Sequence, residues 1–100
     1  MTRIELAPEV LQDFDRIIEH LQQHDSPNAE ARISEVIDAI QILSHSPLIG
    51  RKTEHGLREL VIGKATHGYV ALYRYVSSID VAFVLAVRAQ RESGFKSPST

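Results

Sequence analysis

The chain has 100 residues, 43% of them hydrophobic, with a formal net charge of −2 and no cysteine. That is one domain with a modest core. It excludes disulfides, thiolate metal sites and a cysteine nucleophile, and it is not the strongly basic balance of a protein that lives on nucleic acid. No apolar run is long enough to cross a bilayer and no basic start leads into a long apolar region, so a cytoplasmic location is expected.

The charge is unevenly divided. Residues 1–50 hold three basic residues (Arg3, Arg16 and Arg32) against nine acidic ones, a balance of −6. Residues 51–100 hold eight basic and four acidic residues, a balance of +4. An acidic layer and a basic layer follow, and the basic one offers a surface to an anionic partner.

In chain order, Arg3-Ile4-Glu5-Leu6 alternates polar and apolar residues and predicts a short strand near a sheet edge. Pro8 and Glu9 suit the first turn of a helix, where a missing N–H costs nothing and a negative charge meets the positive end of the dipole. Val10, Leu11, Phe14, Ile17, Ile18 and Leu21 then form one apolar stripe at helical period. The stretch from Gln23 to Asn28 breaks it. Ser26 followed by Pro27 predicts the cap and first turn of a second helix, with Ile33, Val36, Ile37, Ile40 and Leu43 as its stripe. A turn this short makes the two an antiparallel helical hairpin.

Ser44-His45-Ser46-Pro47 stops the second helix, and residues 48–56 read as an irregular connection with a basic middle. Leu57 to Ile62 is a strand in which Leu60 and Ile62 share a face with Arg58. After a turn at Gly63–Gly68, Tyr69–Val76 and Val81–Arg88 are two runs of β-branched and aromatic residues split by Ser77-Ser78-Ile79-Asp80, the pattern of a β-hairpin. Strict alternation puts Val70, Leu72, Arg74 and Val76 on one face of the first run and Tyr69, Tyr73 and Tyr75 on the other. In the second run it separates Val81, Phe83, Leu85 and Val87 from Ala82, Val84, Ala86 and Arg88, which predicts a central strand covered on both sides. The fold class is therefore α+β, ordered β-α-α-β-β-β, with the helical hairpin packed on one face of a small, mainly antiparallel sheet. One domain is expected over residues 1–92, followed by a polar, flexible tail at 93–100.

Chemistry is sparse. His20 and His24 stand at i and i+4, a spacing that can hold zinc, but no Glu follows His20 and both lie off the apolar stripe, so no metal site is expected. No phosphate loop or nucleophile elbow is present, and no cofactor is expected. Tyr69, Tyr73 and Tyr75 on alternate strand positions can stack bases. A second small apolar layer, closed by the tail or by a partner peptide, is the preferred reading. Arg58, Arg74, Arg88 and Arg91 are the candidate site residues. Arginines on neighbouring strands can converge on a carboxylate or phosphate, which the guanidinium fork grips with two hydrogen bonds. The alternative is strand-end ion pairing with Glu59 or Glu92.

The order and spacing of several segments resemble the RelE/ParE superfamily of type II toxin–antitoxin toxins. These are the first strand with its Pro-initiated helix and the helical hairpin, then Ser46-Pro47-Leu48-Ile49-Gly50-Arg51, Gly56-Leu57-Arg58-Glu59-Leu60, Tyr69-Val70-Ala71-Leu72-Tyr73-Arg74 and Val87-Arg88-Ala89-Gln90-Arg91-Glu92. The resemblance implies one of two mechanisms. RelE-like members cut messenger RNA in the ribosome, whereas ParE-like members poison DNA gyrase and have no known catalytic residues. The ribonuclease branch has an arginine where this chain has Val70, basic residues and often a histidine where it has Ala89 and Gln90, and a C-terminal tyrosine where it has Phe95. The resemblance therefore points to the ParE-like branch, a plasmid-stabilisation toxin that inhibits gyrase, is not an enzyme and does not bind DNA directly. Its implied partners are gyrase and a cognate antitoxin, in a homo-oligomer or a heterotetramer with that antitoxin. The antitoxin segment is expected to place carboxylates near Arg58, Arg74 and Arg88. A RelE-like ribonuclease, or a non-toxic antitoxin-binding homologue, is the alternative.

Overall fold

The computed structural model describes residues 1–23, 28–63, 68–92 and 95. Strand β1 (Arg3–Leu6) leads into helices α1 (Pro8–Gln23) and α2 (Ala29–Ile40). Strands β2 (Arg51–Lys52), β3 (Arg58–Ile62), β4 (Tyr69–Val76) and β5 (Val81–Ala89) follow. They form one sheet in the order β1-β5-β4-β3-β2. β1 lies at one edge, parallel to β5, with Arg3 opposite Val81 and Leu6 opposite Val84. All other neighbours are antiparallel. This is the expected α+β architecture with one addition: Arg51-Lys52, expected to be irregular, pairs with Glu59 and Arg58 as a two-residue edge strand.

The helix boundaries also differ. The expected Ser26–Pro27 cap lies outside the described residues. α2 begins behind Asn28, whose φ of 62° is left-handed, a conformation Asn tolerates because its short polar side chain can bond locally. Its α-helical part ends at Ile40 rather than at Ser44–Pro47. The chain tightens into a 3₁₀ turn, Gln41–Ser44, which keeps Leu43 fully buried.

Val10, Phe14, Ile17 and Leu21 of α1 and Ile33, Val36 and Ile40 of α2 are buried as their spacing requires, while Leu11 is 59% exposed. They pack on Tyr69, Ala71 and Tyr73 of β4 and on Ala82, Val84 and Val87 of β5. Tyr69 and Tyr73 thus lie beneath the helices, Tyr73 with no exposed surface, where no base can stack on them, while Tyr75 is half-buried at the end of β4. The second apolar layer is on the opposite face. It comprises Leu57, Leu72 and Ala86, covered by Leu85 and by Phe95 from the tail. The bulky aromatic face takes the helices, and on the flatter aliphatic face Phe95 is the tail residue that packs among the described residues.

A β-bulge overturns the alternation expected in β5. Leu72 is opposite Ala86 but Tyr73 is opposite Val84, so Leu85 is the extra residue that β5 carries at this shift of register. One extra residue inverts every side chain beyond it. Val87 and Ala89 join Ala82 and Val84 on the helix side, and Arg88 moves to the opposite face.

Candidate functional site

The four candidate arginines do not converge. Arg58 lies on the helix side of β3, opposite Tyr73, and donates to the Leu48 and Gly50 carbonyls at 3.1 and 2.8 Å. Arg74 lies on the other face and donates to the His55 carbonyl at 3.0 Å. Arg88, opposite Val70, shares that face, four positions along β4 and so roughly 13 Å from Arg74 at about 3.3 Å per residue. Its Nη1 donates to the carbonyls of Ala89, Gln90 and Glu92 at 3.2–3.3 Å. The guanidinium sits 5.1 Å from the centre of the Phe95 ring, a cation–π contact. Arg91 is exposed in the turn after β5. Glu59 and Glu92 do form ion pairs, but with Arg51 and Arg16.

Arg16 belongs to a network that spacing alone concealed. β1 stops at Leu6, and the last bond across to β5 runs from the Ala7 N–H to the Val84 carbonyl. Beyond that rung, side chains do the work of a neighbouring strand. Asp13 Oδ2 accepts the Val87 N–H at 2.9 Å, Arg16 Nη2 donates to the Val87 carbonyl at 3.3 Å, and Glu92 Oε1 accepts the Ala89 N–H at 3.0 Å. Arg16 also joins the two carboxylates, at 2.6 Å to Asp13 and 3.1 Å to Glu92. Partial burial works against the guanidinium charge, but the hydrogen bonds to Glu92 and Asp13 outweigh it and hold the Arg16 pKa above its ordinary value. Asp13 is only 2% exposed, and a buried carboxylate requires such partners.

Next to this network a cleft of about 540 Å³ opens between α1, α2 and the end of β5. Its floor is Ile17, Leu21 and Tyr69, and its rim carries Arg16, Arg32, Arg91 and His20, with the Glu92 carboxylate that pairs with Arg16. Of the four candidate arginines only Arg91 is there. Arg16 and Arg32 escaped sequence reasoning, although they are two of only three cations in the acidic first half. An apolar floor with a cationic rim suits an amphipathic segment with apolar anchors and carboxylates, as in helix-in-groove recognition. His20 takes part in the rim, while His24 lies outside the described residues. No metal-binding cluster occurs among the described residues.

Comparison with known proteins matches this architecture. The family described as the ParE toxin of the type II toxin–antitoxin system parDE matches residues 4–94. The toxin RelE3 of Caulobacter vibrioides is 33% identical over 85 residues, 82% of this chain and 90% of that protein. The chromosomal ParDE toxin–antitoxin system of P. aeruginosa superimposes with a TM-score of 0.74 at 18% identity, covering 89% of this chain and 96% of that one. The intact E. coli RelBE toxin–antitoxin complex gives 0.61 at 13% identity, covering 92% and 100%. At those identities the two structures speak for the fold alone. The family match runs from β1 to the turn beyond β5, so the chain belongs to the ParE toxin family of type II toxin–antitoxin systems.

Proposed function

We propose that the protein is the toxin of a type II toxin–antitoxin module, that it acts by binding DNA gyrase rather than by cutting messenger RNA, and that a cognate antitoxin neutralises it. The observation that carries this reading is the state of Arg88. A phosphodiester cleaver needs cations at the scissile phosphate and a group that moves a proton. Arg88, on the last strand, is committed to the protein's own backbone, donating to three carbonyls and lying against Phe95. Its cross-strand neighbour Val70 is 2% exposed and brings no charge. The antitoxin segment lies in the cleft between α1, α2 and β5, its apolar residues on Ile17, Leu21 and Tyr69 and its carboxylates toward Arg32 and Arg91.

A gyrase supercoiling assay, run beside a translation assay with primer extension on the message, tests the proposal. Supercoiling is expected to stop on adding the protein and to resume on adding the antitoxin, with the message intact. Discrete cuts in ribosome-bound message, or unimpeded supercoiling, would overturn it.

A further inference from the structure

We propose that the turn after β5 couples the cleft to the opposite face of the sheet. A carboxylate that draws Arg16 away from Glu92 in the cleft loosens Phe95 from Arg88 and from the Leu57–Leu72–Ala86 face. Two arginines hold this turn, one from each face. On the helix side Arg16 Nη2 donates to Glu92 Oε1 at 3.1 Å, and the same oxygen accepts the Ala89 N–H at 3.0 Å. On the other side Arg88 Nη1 donates to the carbonyls of Ala89, Gln90 and Glu92 at 3.2–3.3 Å. Arg88 Nε is buried with no acceptor among the described residues. The three turn carbonyls therefore fix the guanidinium, against which the Phe95 ring lies with its centre 5.1 Å away.

The Arg16 and Glu92 side chains are 31% and 22% exposed, and both line the cleft. A carboxylate arriving there competes with Glu92 for Arg16. Arg16 exchanges one carboxylate for another and loses little, because its bond to Asp13 at 2.6 Å is untouched. The turn does lose: the Glu92 carboxylate that clamps it to the Ala89 N–H is released. Gln90 stays, its N–H tied to the Gly68 carbonyl at 2.9 Å. The Glu92 carbonyl moves with its residue, and Arg88 loses one of its three acceptors. A ligand shifts such an equilibrium only by the difference in its affinity for the two states, and competition with Glu92 supplies that difference. The coupling is reciprocal, so loosening Phe95 on the far face favours the carboxylate in the cleft. The link is a property of this chain. Its use by an antitoxin rests on the antitoxin's proposed place in the cleft.

The chain has no tryptophan, so Phe95→Trp supplies its sole indole, and an indole keeps the cation–π contact. In the full chain its emission is expected to be blue-shifted and weakly quenched by acrylamide. Arg16→Gln and Glu92→Ala, each in that background, should shift the emission to the red and raise the quenching constant. Glu92→Ala, outside the strand, keeps the test open should Arg16→Gln fail to fold. Tyr73→Phe, destabilised away from the turn, should leave the emission unchanged. Adding antitoxin to Phe95→Trp should give the same red shift, and Phe95→Ala should bind antitoxin at least about fivefold more tightly than wild type. Emission in Arg16→Gln and Glu92→Ala that matches the parent, or a shift of the same size in Tyr73→Phe, would overturn the link. Antitoxin that binds without a red shift overturns it too, provided that Arg91→Glu weakens binding. If Arg91→Glu does not, the antitoxin's place in the cleft is what fails.

Discussion

Asp13 of α1 accepts the backbone N–H of Val87 in β5 at 2.9 Å, standing in for the strand that β1 is too short to supply. The helix is thus bonded to the sheet as well as packed on it, at the point where the bulge has reset the register of β5. Removing one member of a buried charge network leaves the others unpaired, at a cost of about 3 kcal/mol or more. Asp13→Ala strips the Val87 amide of its acceptor and Arg16 of its closer carboxylate, so a loss of about 3 kcal/mol is expected in urea unfolding, with the midpoint falling and the slope unchanged. Arg16→Ala, at a partly exposed guanidinium, should cost less. An Asp13→Ala loss below about 1 kcal/mol would show the network to be incidental.

A second fixed point is the loop before β2. Tyr73, buried under α2 and the loop, accepts from the Gly50 N–H and donates to the Pro47 carbonyl, both at 2.8 Å. A Cβ at Gly50 would stand 2.6 Å from Tyr73 Cε1 and 2.9 Å from the Glu59 carbonyl oxygen, and neither can withdraw. Gly50→Ala is expected to destabilise strongly. Tyr73→Phe orphans a buried N–H and a carbonyl, for a loss of about 1–3 kcal/mol. Burial also holds the Tyr73 phenol above its ordinary 10.0, against the opposing bond from Gly50. The fold favours the neutral phenol, so this contribution is present below about pH 10 and is lost as pH rises through the folded value. Thermal melts should show the wild type losing stability faster than Tyr73→Phe in that alkaline window.

Most of the fold was legible because period and punctuation agreed. The stripes of α1 and α2, the break at Ser77–Asp80 and the Leu60–Ile62 face are local patterns that packing had no reason to overrule. What escaped was decided by non-local events. The bulge at Leu85 depends on how β4 and β5 fit each other, and it alone moved Arg88 to the other face. Asp13 and Arg16 stand outside the apolar stripe of α1, and nothing in their spacing reveals that β1 stops at Leu6. The same limit applied to the site. Arginine identity was visible, but the carbonyls that occupy Arg58, Arg74 and Arg88 come from segments 10 residues back (Leu48), 19 residues back (His55) and four residues ahead (Glu92).

The acid side of the stability curve should report on the β4–β5 turn. Asp80 Oδ1 accepts from Thr2 Oγ1 at 2.6 Å and from the Tyr75 hydroxyl at 2.7 Å. These bonds, first from Thr2 and then from Tyr75, hold the Asp80 carboxyl below its ordinary 3.8. A depressed folded pKa gives stability that is present above the unfolded value and is lost as pH falls through the folded one. Asp80→Asn is the suitable variant, because the left-handed φ of 52° at this position is one that Asn accepts. Melting temperatures followed downward from about pH 5 should fall less steeply in Asp80→Asn than in the wild type. Parallel curves would show that the turn adds nothing to acid stability.

The cleft between α1, α2 and β5, rather than the opposite face of the sheet, is where antitoxin affinity should concentrate. The earlier expectation placed the antitoxin's carboxylates near Arg58, Arg74 and Arg88, but each of these guanidiniums already has backbone acceptors in the free protein. Arg91, exposed on the cationic rim, lies over an apolar floor that can exclude water from an ion pair, where a pair is worth more than at an open surface. Arg91→Glu replaces attraction with repulsion and is expected to weaken antitoxin binding at least about tenfold, or roughly 1.4 kcal/mol, by titration calorimetry. Arg74→Ala should bind within about threefold of wild type, under roughly 0.7 kcal/mol. Arg88→Ala should act mainly on stability, because it releases both the turn carbonyls and Phe95. Were Arg74→Ala to weaken binding more than Arg91→Glu does, the antitoxin would lie on the Leu57–Leu72–Ala86 face and the assignment of the cleft would fail.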